Sequence, residues 1–188
     1  MSSKTGVSVT SIIREDTAAA FEHALFTSLL GSVFLPKVVR RLLLQACGAD
    51  VRSGPGQGFS VTGGVRSLTI ERGVFINKSV SIECVAPVTI GSGTAIGMRV
   101  SIMTSHHDID TAGRWNPVAS GRPVVIGERV WIGGGAMILP GSHIADDVIV
   151  AAGAVVRGRL DSHGVYAGVP ARRIRDFVGE ADVPDAVH

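Results

Sequence analysis

From about residue 68 onward, aliphatic residues recur at every sixth position. Ile70, Ile76, Ile82 and Val88 form one block, Ile90, Ile96 and Ile102 a second, and Ile126, Ile132, Ile138, Ile144, Val150 and Val156 a third. A companion series lies two positions earlier: Leu68, Val74 and Val80, then Thr94 and Val100, then Val124, Val130, Ala136, Val148 and Ala154. Small residues follow the main series at Gly91, Gly97, Gly127, Gly133, Ala145 and Ala151. Period six fits neither a helix at 3.6 nor a strand at 2. It predicts a chain that makes a short strand, turns a corner at a small residue and repeats, stacking each aliphatic side chain on its counterpart in the next coil. That is an all-β solenoid. Residues 104–123 carry no period and are polar and glycine-bearing. They read as a loop extruded from the coils, the kind of segment that carries function on a rigid scaffold.

The chain before residue 50 follows another rule. Seven of its ten leucines lie between Leu25 and Leu44, while Val and Ile dominate the rest. Leucine favours helix and β-branched residues favour strand. Asp16 can cap a helix running from Thr17 to Phe26. Pro36 suits the first turn of a second helix over Lys37 to Ala46, ended by Gly48 as a left-handed cap. Lys37, Arg40 and Arg41 beside Val38, Val39 and Leu42 read as a helix packed on the main domain, with a basic membrane-surface helix as the alternative. The predicted organisation is a helical segment over residues 1–50, a solenoid over 51–170 with its loop at 104–123, and a tail at 171–188.

Composition narrows the function classes. Charged residues make up 18% and hydrophobic residues 45%, which excludes a disordered chain. A net charge of +2 gives no reason to expect nucleic-acid binding. The two cysteines, Cys47 and Cys84, have no metal-ligand spacing and are too few for a disulfide framework. The first residues lack a signal peptide's apolar core, and no apolar run reaches the ~18 residues of a membrane span. The expectation is a cytoplasmic protein with no metal.

Three landmarks sit on this repeat. They are Thr104, Ser105, His106, His107 and Asp108 at the start of the loop; Val130, Trp131, Ile132 and Gly133 to Gly135, followed by Pro140 and Gly141; and Ala167 to Ala171, followed by basic residues. With the hexads, they make residues 70–175 resemble the hexapeptide-repeat acyltransferases, close to the maltose, galactoside and nodulation-factor O-acetyltransferase branch. The resemblance implies a left-handed parallel β-helix and a homotrimer with sites between subunits. It also implies acetyl-CoA as cosubstrate and a hydroxylated small-molecule acceptor, such as a sugar, a glycan precursor or a natural product.

Moving an acetyl group to a hydroxyl requires a base, donors for an oxyanion and a grip on the long CoA. Histidine suits the base because its pKa of about 6.5 lies near working pH. The resemblance selects His107, with His106 in reserve, and places Asn77 near it to orient the acceptor or hold the oxyanion. An asparagine there could equally be a left-handed corner residue. Sugar-modifying relatives carry an acid at the position of Cys84, whereas here the acid is Glu83. Glu83 and Asp108 are the substrate-binding candidates, while Asp110, Arg114, Trp115 and Asn116 are unranked pocket candidates. For CoA the resemblance implies Trp131 as a wall, backbone around Gly134 and Ala152 for the pantetheine amides, and Arg172 and Arg175 for the phosphates. Arg157 and Arg159 fall near a basic position of relatives.

Three other readings compete. A non-catalytic β-helix scaffold would keep the coils and lose the base. A serine-acetyltransferase-like enzyme would need a long helical N-terminal domain that fifty residues do not supply. A zinc enzyme on the same fold would need converging histidines, and His106, His107, His143 and His163 lack such spacing.

Overall fold

The computed structural model describes residues 28–177. They form a left-handed parallel β-helix preceded by a short helix. The coils have three faces, visited in turn. The first stacks Asp50–Val51, Leu68–Ile70, Val88–Ile90, Val124–Ile126, His143–Ile144 and Arg159–Leu160. The second stacks Phe75–Ile76, Ala95–Ile96, Trp131–Ile132, Val148–Val150 and Gly164–Ala167. The third stacks Ser60–Gly63, Ser81–Cys84, Ser101–Ile102, Met137–Ile138 and Val155–Val156. Each strand pairs in parallel with the strand one coil away, so neighbouring coils lie about 4.8 Å apart.

All thirteen residues of the main series are at most 1% exposed. On the second face Ile76, Ile96, Ile132 and Val150 stack in register, and on the third Ile82, Ile102, Ile138 and Val156 do the same. One member is misassigned by the simple period. Val88 pairs with Leu68 and Val124, so it opens the next coil as a companion of Ile90 instead of closing the block of Ile82. The two residues gained between Ile70 and Ile90 are absorbed at the corner after Cys84, where the column is not interrupted. Thr94 holds a core position without an aliphatic tip because its hydroxyl donates to Gly127 O (2.8 Å) and accepts from Val130 N (3.1 Å).

The small residues do not turn the corners as expected. They sit where coils approach most closely: a Cβ on Gly97 would meet Gly134 N at 2.6 Å, and one on Gly133 would collide with Ala152 N. The turning is done two residues later in the left-handed region. Gly73, Gly93, Arg129, Asp147 and His163 line one edge, and Gly58, Ser79, Arg99, Gly135 and Gly153 another.

The helix Lys37–Ala46 closes the first coil, ending at Cys47 and at Gly48 with φ +95°. It buries Leu44 and, unexpectedly, Arg40, while Val38 and Leu42 stay exposed. At the other end Arg172–Asp176 turns back antiparallel along Gly164–Ala167 and covers that sheet edge. The helix expected over 17–26 lies outside the described residues. Among the described residues, no helix is long and apolar enough to cross a membrane.

Candidate active site

The segment that breaks the period is a β-hairpin, not an irregular loop. Ser105–His106 pairs antiparallel with Ser120–Gly121, and Ile109 bridges to Trp115. Asp110 holds the tip, its Oδ1 accepting from Ala112 N and Arg114 N (both 2.9 Å), and these N–H groups, Arg114's first, lower its pKa. At the root, Thr104 is fully buried; its hydroxyl donates to Glu83 O (2.7 Å) and accepts from Ala86 N (3.1 Å). Glu83 Oε2 accepts from both Ser105 N (3.1 Å) and Ser105 Oγ (2.7 Å). The carboxylate expected to meet substrate therefore clamps the hairpin two residues before His107.

The two histidines have different surroundings. His107 Nδ1 lies 2.8 Å from Asn116 O, and its ring meets Trp115 edge-on at 5.4 Å. A carbonyl can only accept, so Nδ1 carries the proton and Nε2 is left with a free lone pair. His106 Nε2 instead faces Asp108 Oδ1 at 3.5 Å, and Arg122 shares that oxygen at 3.5 Å. Asp108 is thus engaged by its own hairpin. Trp115 and Asn116, unranked in the sequence, turn out to be what orients His107; nothing in their spacing singles them out.

Asn77 lies directly after Ile76 on the second face and is not in the left-handed region; Ser79 is, at φ 58°. Its Oδ1 accepts from Lys78 N at 2.8 Å. A backbone N–H pairs only with the amide oxygen, so the NH₂ end is the free one. Trp131 is 57% exposed on the outer side of the same face, between Ala95 and Ile149. Gly134 and Ala152 border the corner beyond it, where Gly135 and Gly153 open onto empty space.

Arg172 and Arg175 lie on the exposed final strand, opposite Ala167 and Val165. Neither forms an ion pair among the described residues. Arg173 between them does, with Asp176, and its guanidinium also reaches Tyr166 and the carbonyls of Ser162 and His163. Arg159 is likewise occupied, by Asp161 (2.9 Å) and His143 Nδ1 (3.1 Å). Cys84 is buried, and burial with the nearby Glu83 charge pushes its thiol up to about 12. It is a core residue and not a nucleophile at neutral pH.

The structure gathers these residues at two corners. His106, His107, Asp108 and Glu83 belong to the corner where the third face ends. Asn77, Gly134 and Ala152 belong to the corner where the second face ends, with Trp131 just before it. The third face separates them: its strand Ser81–Cys84 is four residues, about 13 Å. A cleft of ≈ 320 Å³ lies on that face, lined by Ser60, Ser81, Ser101, Glu83 and Met137 among others. Among the described residues no group of three or more His, Cys, Asp and Glu could hold a metal.

Comparison with known proteins agrees with this architecture. The family profile "Bacterial transferase hexapeptide (six repeats)" matches residues 123–158. Over 140 residues the chain is 34% identical to an Escherichia coli (strain K12) protein provisionally named lipopolysaccharide biosynthesis O-acetyl transferase WbbJ, covering 65% of this chain and 70% of that one. The chain belongs to the hexapeptide-repeat acetyltransferases. Within them it lies close to the maltose, galactoside and nodulation-factor branch. It is 51% identical over 75 residues to nodulation protein L of Rhizobium leguminosarum bv. viciae, 40% of each chain. The first curated relatives are spanned over only 40–51% of their own lengths. Among solved structures, the Vibrio cholerae hexapeptide-repeat-containing acetyltransferase complexed with acetyl coenzyme A superposes with a TM-score of 0.75. Identity is 26%, covering 88% of this chain and 90% of that one.

Proposed function

We propose that this chain is an acetyl-CoA-dependent O-acetyltransferase in which His107 is the general base. The observation that carries the reading is the Asn116 carbonyl at 2.8 Å from His107 Nδ1, which leaves Nε2 as the acceptor of a proton. Nε2 removes the proton of the acceptor's hydroxyl as its oxygen attacks the thioester carbonyl, then returns it to the departing sulfur. The free NH₂ of Asn77 donates to the carbonyl oxygen as negative charge builds on it. Trp131 walls the thioester end, backbone at Gly134 and Ala152 bonds the pantetheine amides, and Arg172 and Arg175, without an ion pair among the described residues, hold the phosphates. Asp108 orients the acceptor through the oxygen of its carboxylate that its neighbours leave free.

One chain keeps His107 and Asn77 at different corners, so the reacting groups meet only when a second copy brings its corner against the hairpin. A homotrimer, closed by a threefold axis, gives three such sites. Sedimentation checks it: a stable monomer with full turnover would remove the shared site.

The test is His107→Ala. Turnover, followed by free-thiol release from acetyl-CoA, should fall roughly 100-fold or more, while stabilisation by acetyl-CoA in thermal unfolding stays as in the wild type. Full turnover in the variant would move the base elsewhere. No acetyl-CoA stabilisation of the wild type would leave a β-helix scaffold.

A further inference from the structure

A second cavity, of ≈ 350 Å³, lies where the N-terminal helix meets the first coils, and Asn77 forms part of its wall. Its size suits a monosaccharide-sized group. Three cations line it, Lys37, Arg40 and Lys78, and no lining residue is acidic. Nor does any ion pair among the described residues take one of the three, although Arg52, Arg114, Arg122, Arg129, Arg159 and Arg173 all have carboxylate partners.

Arg40 is the unusual member. It is 2% exposed, and its acceptors are all main-chain carbonyls: Leu30 O from Nε (2.6 Å), Pro55 O from Nη1 (3.4 Å) and Ser32 O from Nη2. Those three bonds use three of five N–H donors, and no carboxylate among the described residues pairs with it. A desolvated cation without an anion is costly, and burial lowers the Arg40 pKa accordingly. One position on, Arg41 buries an Nε that has no hydrogen-bond partner among the described residues. Lys37 lies over the Phe75 ring at 4.4 Å, a contact that does not neutralise its charge. The backbone is drawn in tightly here: a Cβ on Gly56 would meet Asn77 O at 2.6 Å, so the first coils pack closely beneath the cavity.

We infer that this cavity binds an anionic group of the acceptor, a phosphate or a carboxylate, and so presents the neighbouring hydroxyl at Asn77. The acceptor class is then a negatively charged sugar and not a neutral one. The hydroxyl's fate rests on the acetyltransferase reading, whereas anion binding by the cavity does not.

Calorimetry of the full chain at low salt, with galactose 1-phosphate, galacturonate and galactose as probes, tests this. At least one anionic sugar should bind about tenfold or more tightly than galactose, as one charge-assisted contact in a desolvated site provides. The tighter of the two names the anion. Lys37→Gln with Lys78→Gln, at two positions outside the core, should abolish most of that preference and leave galactose binding unchanged. Arg40→Met should do the same if it folds. Equal affinity for charged and neutral sugars, no binding of either anion at millimolar concentration, or a preference that survives the double substitution would each overturn the inference. Acetyl-CoA stabilisation of the same preparation separates the two readings. Its loss with anion binding intact removes acetyl transfer alone, and the reverse removes the anion site alone.

Discussion

Thr104→Val is the sharpest probe of how the scaffold holds its candidate base. The substitution keeps the β-branched shape and volume and removes only the hydroxyl. That hydroxyl makes two bonds inside a fully buried site, giving to Glu83 O at 2.7 Å and taking from Ala86 N at 3.1 Å. The variant removes this side-chain partner from a buried N–H and from a carbonyl at once. At about 1–3 kcal/mol for each orphaned group, the loss should total about 2–6 kcal/mol. For a chain of this size that is a fall of about 4–24 °C in Tm. Urea unfolding followed by circular dichroism should show the midpoint falling with an unchanged slope. Thr104→Ser, which keeps the hydroxyl and loses a methyl, should cost only about 1 kcal/mol. Because Ser105 and His107 follow directly, turnover in the valine variant should fall while acetyl-CoA affinity holds. A valine variant within about 0.5 kcal/mol of the wild type would refute the reasoning. It would mean that water or a shift of the corner satisfies both groups.

Other expectations are narrower. Arg172→Ala with Arg175→Ala should weaken CoA more than dephospho-CoA in competition binding; equal losses would take both arginines off the phosphates. Gly133→Ala should destabilise by about 1–3 kcal/mol or more, since the new Cβ strikes Ala152 backbone and coils cannot separate locally without breaking their ladder. A neutral Tm shift would show that the coils slide. Cys84, with its thiol pushed up to about 12, should resist a thiol reagent at pH 8 in the native state and react on unfolding. Asp147 is held below the usual carboxylate range by Arg129, so its contribution to stability is present above about pH 4 and is lost as pH falls through the depressed value. Acid unfolding of Arg129→Met should lack that component.

The coil architecture was legible because burial on this fold is strictly periodic. A residue that points inward once does so again six positions later, and the aliphatic columns and the glycines beside them follow from that. The hairpin's place was legible for the same reason: residues 104–123 could not belong to a coil. Its structure was not, because the bonds that make it run between residues distant in sequence, Thr104 to Glu83 and Ala86, and Glu83 to Ser105. Sequence spacing likewise offered His106 and His107 as neighbours of equal chemistry. Tertiary structure separated them by giving one a backbone carbonyl and the other a carboxylate. Val88 shows how a period misleads: it fits the count of six, yet corners can absorb extra residues and only the ladder fixes register. Arg40 shows the opposite limit. The sequence placed it on a helix packed against the main domain without saying which face it takes, and helix geometry put it on the inner face with Leu44. Which side of a short helix meets the core is decided by the coil it closes, not by the helix's own pattern.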